Sequence, residues 1–159
     1  MQAMRGSAWR RVSIGWLAGV VAAASVVSAT AQTLKPLMER EIKAANGRQL
    51  RIDELRPLLV GNTAYAVFLK AAGNTPSGAT SAMYHRDERT RIIPTGQGRK
   101  AEAVWWFEGD TYCNEQRGIN PGNRCYSVWE LNRAIYLCLQ PSGDCFLSIR
   151  VVPGNPENL

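Results

Sequence analysis

Two patterns of hydrophobic and polar positions divide the chain. Leu34, Leu37, Met38 and Ile42 recur near helical spacing, with Glu39, Arg40 and Lys43 elsewhere on the wheel. That spacing predicts an amphipathic helix over residues 34–45, and Asn46-Gly47 supplies its stop. A second short helix is expected from Asp53, carrying Leu55, Leu58 and Leu59 up to Gly61. From Asn62 onward the period changes. Short apolar runs at 63–70, 81–86, 90–93, 101–108, 111–114, 125–130, 134–139 and 145–152 are separated by turn residues. Such runs, each close in sequence to the next, predict a mainly β fold. The expected architecture is a small antiparallel meander of about eight short strands, closing into a barrel or a sandwich and preceded by one or two short helices.

Alternation within the strands assigns faces. In the run 101–108, Ala101, Ala103, Trp105 and Phe107 share one face, and Glu102, Val104, Trp106 and Glu108 share the other. The all-apolar face is expected inside. Tyr126 and Val128 then point inward on a second strand, which turns Trp129 outward. Tyr65, Val67, Trp105, Phe107, Tyr126 and Val128 are the expected core. Trp106 and Trp129 are the candidate binding residues, because exposed aromatics anchor interfaces. The alternative is that one or both lie under the N-terminal helices.

The first residues change the picture of charge. Arg5, Arg10 and Arg11 precede an uncharged, apolar or small stretch at 12–27, and Ala29-Thr30-Ala31 fits the small-x-small pattern of signal peptidase. This is the layout of a cleaved secretory signal over residues 1–31. The apolar stretch is shorter than the roughly 20 residues of a spanning helix. Three of the 19 Lys+Arg leave with that segment and none of the 13 Asp+Glu, so the mature chain carries only +3. Its basic residues are scattered, which argues against a nucleic-acid face. Three segments result: the signal at 1–31, a helical segment at 32–60 and a disulfide-stapled β domain at 61–156. The expected location is periplasmic or secreted, with no stable membrane span after cleavage.

Candidate chemistry is sparse. Cys113, Cys125, Cys138 and Cys145 form an even set in an exported chain, which reads as two disulfides. Three connectivities are possible, and sequence alone does not choose among them. The loops between Cys113 and Cys125 and between Cys138 and Cys145 lean toward sequential pairing. No C-x-x-C is present and His85 is the single histidine, so neither a metal site nor a cofactor is expected. His85, close to Asp87 and Glu88, is the one general base on which an enzyme reading could rest. The glycine-rich loop at 94–100 has no following helix and does not make a phosphate cradle.

The chain resembles a family of short secreted proteobacterial proteins of unknown function. The shared landmarks are Gly61-Asn62-Thr63-Ala64-Tyr65, Trp105-Trp106-Phe107-Glu108-Gly109-Asp110, Cys113, Cys125-Tyr126-Ser127-Val128 and Gly154-Asn155-Pro156. The resemblance implies a small β domain with a Cys113–Cys125 pair and no established activity. The functional expectation is a non-catalytic exported binding or interaction protein of the bacterial cell envelope. Its partner would be an envelope protein or a small ligand. The alternatives are a weak hydrolytic enzyme using His85, or a purely structural envelope protein.

Overall fold

Eight strands follow one another around a closed barrel in the computed structural model, which describes residues 37–95, 98–116 and 122–159. They are β2 (Asn62–Phe68), β3 (Thr80–His85), β4 (Thr90–Pro94), β5 (Lys100–Glu108), β6 (Thr111–Gln116), β7 (Gly122–Leu131), β8 (Ala134–Leu139) and β9 (Asp144–Pro153). Each pairs antiparallel with the next, and β9 closes the ring on β2 through Asn62↔Pro153 to Phe68↔Leu147. Closure removes the free sheet edges that a sandwich would keep. The barrel, with its short preceding helices, is the expected class in its closed form. The segment at 1–31 read as a secretory signal lies outside the described residues, as does the start of the first expected helix. Among the described residues, no helix is long and apolar enough to cross a membrane.

Three elements precede the barrel: α1 (Glu39–Ala44), β1 (Arg48–Gln49) and α2 (Ile52–Leu59). Glu41 accepts the Met38 backbone N–H at 3.0 Å and Glu54 accepts that of Arg51 at 3.0 Å, so each helix begins with an otherwise unpaired donor satisfied. Gly47 follows α1 because a β-carbon there would stand 2.3 Å from the Ile42 side chain. β1 was not legible as a strand; it fills the part of β7 beyond the reach of β6, through Arg48↔Glu130 and Gln49↔Trp129.

The helices bury opposite sides of the barrel wall. Leu55 and Leu59 of α2, with Leu50, join the interior core of Ala64, Ala66, Met83, Trp105, Tyr112, Tyr126, Val128, Leu137 and Ile149. The α2 N-terminus is tied to the β5–β6 turn, where Asp110 accepts the Ile52 N–H at 3.0 Å. Ile42 of α1 packs instead on the outside, with Leu69, Trp129, Cys138 and Cys145. Trp105 is fully buried, and Tyr126 and Val128 are buried, as alternation predicts. Phe107 is half-buried against the same core.

Strand β2 has the opposite face to the one expected. Ala64 and Ala66 are 1 % exposed, whereas Tyr65 and Val67 are half-buried on the outer wall. The cause is volume. Trp105, Tyr112 and Tyr126 already fill the interior, and only alanine fits opposite Met83 and Val151. The displaced Tyr65 is satisfied outside: its hydroxyl donates to Glu157 at 2.5 Å and Arg150 lies over its ring.

Candidate functional site

The inward-facing positions of β3, β4 and β6 bring polar groups into the barrel. His85 and Arg91 are directly paired across β3 and β4, and both are buried. Arg91 Nη1 donates to the Tyr112 hydroxyl at 2.9 Å, and the same hydroxyl lies 3.2 Å from His85 Nε2. With the guanidinium donating to its oxygen, Tyr112 is left to donate its own proton to the imidazole. Trp105 meets His85 edge-on at 4.9 Å between ring centroids and stacks with Tyr112 at 5.5 Å. Burial first, and the Arg91 charge second, push the His85 pKa down to about 3, against weaker opposing contributions from the Asn62 and Met83 backbone. Such an imidazole is neutral at physiological pH and a poor proton acceptor. His85 is 1 % exposed, and the free space beside it and Tyr112 is about 10 Å³, room for about one water molecule. Neither a substrate nor a drug-sized ligand fits there.

The two tryptophans expected on the surface part company. Trp106 stands on the outer wall of β5, half-buried, opposite Cys113 of β6. Trp129 is a correction: it is only 5 % exposed. It does face outward from the barrel, but α1 covers it. Its indole N–H donates to Ser127 Oγ at 3.0 Å, and the Lys43 ammonium sits 5.0 Å from its ring. The N-terminal helix thus supplies the cover that strand parity alone cannot show. The two side chains are not brought together either: Trp106 shares a row with Cys113 and Cys125, four positions along β7 from Trp129.

Both disulfides lie on that outer wall and join residues directly paired across adjacent strands, Cys113–Cys125 and Cys138–Cys145. The Glu108 carboxylate approaches both sulfurs of the first, at 3.8 and 3.9 Å. These three residues form a compact potential ligand set, but disulfide sulfurs are not thiolates and do not bind metal as such. Glu39 of α1 fastens the helix over the second region. Its carboxylate accepts from Ser127 Oγ and Gln140 Nε2, both at 2.8 Å, and pairs with Lys43 at 2.7 Å.

Sequence reasoning missed a broad concave surface. Beyond the end of the β8–β9 pairing a groove of about 690 Å³ opens; its walls join Tyr65, Val67 and Arg150 of the outer face and Arg133 of the β7–β8 turn to Ile135 and Val151, which pack against the interior core. Both arginines are exposed, and among the described residues no carboxylate pairs with either. Arg133 sits at φ 66°, following Asn132 at φ 51°, in the two-residue turn between β7 and β8. Two positive φ values are the signature of a hairpin turn whose second position ordinarily takes glycine. The one signal available in the sequence was therefore the arginine in the Asn132-Arg133 turn.

No family model, no curated protein and no solved structure matches the chain. Its functional reading rests on the geometry of the barrel and its surfaces.

Proposed function

We propose that this is a non-catalytic exported binding protein of the bacterial cell envelope, and that it takes its ligand in this groove. The carrying observation is the groove itself: an open, largely apolar volume of about 690 Å³ lined by two arginines that have no acid partner among the described residues. Pockets of roughly 300–1,000 Å³ with apolar walls and a few polar groups suit small ligands. Arg133 adds weight. Its left-handed backbone is uncommon for a non-glycine residue, and residues held in such conformations cluster at functional sites. The chemistry that fits is an amphiphilic anion, its apolar body on Val67, Ile135 and Val151 and its charge toward Arg133 and Arg150. Trp129 is withdrawn from the contact surface, and Trp106, on a different part of the wall, is not needed for it. The reading of His85 as a catalytic base is disfavoured by its enclosure beneath the α2 cap and by its weak basicity.

Titration calorimetry with decanoate, compared with the decyltrimethylammonium cation of the same chain length, tests the reading. Decanoate is expected to bind and the cation is not. Arg133→Glu combined with Arg150→Glu should weaken decanoate binding by about tenfold or more, since hydrogen bonds to charged groups contribute roughly 1.5–3 kcal/mol each. Equal binding of both amphiphiles, or an unaffected double variant, would contradict it.

A further inference from the structure

Strand β9 is paired unequally along its two edges. Toward β2 its partners run from Leu147 to Pro153, whereas toward β8 they end at Ile149, opposite Ile135. Past Ile149 that second edge has no strand beside it among the described residues. Alternation fixes which groups it presents. Both main-chain groups of Phe68 turn toward β3: its N–H donates to the Ala79 carbonyl at 2.9 Å, and its carbonyl accepts from the Gly78 N–H at 2.7 Å. Those of Val67 therefore turn the other way, to its partner Ser148 on β9. Two-residue periodicity then directs Ser148, Arg150 and Val152 toward β2. It leaves the Val151 N–H and C=O, and the Pro153 C=O, on the open side. The groove runs along this edge, because Ile149, Arg150 and Val151 line it together with Leu58, Arg133 and Ile135. An unpaired strand edge is a template for an added strand, and Pro153, lacking an N–H, ends it.

Taking the groove as the binding site, we propose that its amphiphilic anion is the C-terminus of an extended peptide ending in an apolar residue, added to β9 as a short antiparallel strand. Such a peptide lies in line with β8 and runs in the same direction, so its chain ends toward the β7–β8 turn, where Arg133 stands. Its α-carboxylate is the anion for Arg133 and Arg150, which are exposed and have no acid partner among the described residues. Residues directly opposite one another share a face of the sheet. A terminal side chain opposite Val151 thus lies on its face, with Leu58, Ile135 and Ile149 as the apolar wall. A fatty acid meets the charge and that wall but leaves the Val151 main-chain groups without a partner. A peptide C-terminus meets all three, by main-chain pairing for affinity and a side-chain pocket for specificity.

Titration calorimetry with acetyl-Ala-Ser-Ala-Leu as the free acid, run beside decanoate, is the test. The comparison peptides are its C-terminal carboxamide and the analogue N-methylated at the leucine amide, which cannot donate to the strand edge. Both changes lie in the peptide, so the fold of the protein is untouched. The free acid is expected to bind and to be displaced by decanoate. The carboxamide should bind about tenfold more weakly and the N-methyl analogue about fivefold, the sizes that follow from losing a charged and a main-chain hydrogen bond. Equal binding of the free acid and either analogue would overturn the proposal. Binding of decanoate without the peptide would overturn it too, while leaving the groove as a site for other amphiphilic anions. Binding of neither would overturn both readings.

Discussion

The inner and outer faces of one β wall are stabilised by different means. Inside, a single core runs from α2 through Trp105, Tyr112 and Tyr126, with His85 and Arg91 embedded in it. Outside, a smaller cluster of Ile42, Leu69 and Trp129 forms around the Cys138–Cys145 bridge and is clipped down by Glu39. The inner region depends on the close packing of large side chains. The outer one depends on a covalent staple, one carboxylate and a short helix. The contrast bears on the proposed binding: the interior around His85 and Trp105 is filled by its own side chains, whereas open volume lies beside Arg133 and Arg150.

The largest expected effect comes from the tryptophans, which sample both faces. Trp105→Ala should cost about 3–5 kcal/mol in denaturant unfolding, through lost transfer energy and the cavity left behind. Trp106→Ala, half-buried on the outer wall, should cost less than about 1.5 kcal/mol. Equal losses would mean that the two faces are not distinct.

Acid titration sharpens the same comparison with a smaller effect. His85 is held neutral in the fold with its pKa at about 3, below the ordinary 6.5. The unfolded chain binds this proton first, so stability is complete above pH 6.5 and falls as pH drops from there toward 3. The slope is about 1.4 kcal/mol per pH unit, or about 2 kcal/mol between pH 6.5 and 5. The chain has one histidine, so His85→Leu should flatten the stability profile in that window. The outer face responds lower down. Partial burial raises the Glu39 pKa, but hydrogen bonds from Lys43, Ser127 and Gln140 outweigh it and the net shift is downward from 4.5. Its contribution is thus present above pH 4.5 and lost below it. Glu39→Gln should produce a small fall in Tm at pH 7 that disappears in acid, followed by differential scanning calorimetry.

The eight barrel strands, most of their boundaries to within a residue or two and the inward face of β5 were legible because alternation and turn residues are local signals, whereas β1 was not. Ring closure was left open between barrel and sandwich, since the β2–β9 pairing joins strands from the two ends of the β domain. Strand β2 misled because the hydrophobicity of Tyr65 and Val67 outranks that of Ala64 and Ala66, while the interior had room only for alanine. Trp129 misled for the complementary reason: parity gives the side of the wall, not what lies over it, and α1 lies over it. The groove arises where separate strands diverge, and no stretch of sequence encodes that divergence. Arg133 in its turn was the sole local trace.

The central claim is that an amphiphilic anion binds in the groove beside Arg133 and Arg150 and not at the enclosed His85–Trp105–Tyr112 cluster. Amide chemical-shift mapping of the mature protein during titration with decanoate tests it most directly. The account predicts progressive shifts confined to residues around Tyr65, Arg133, Ile135 and Arg150, with His85, Trp105 and Tyr112 unmoved. Shifts centred on those three interior residues, with the groove silent, would contradict it.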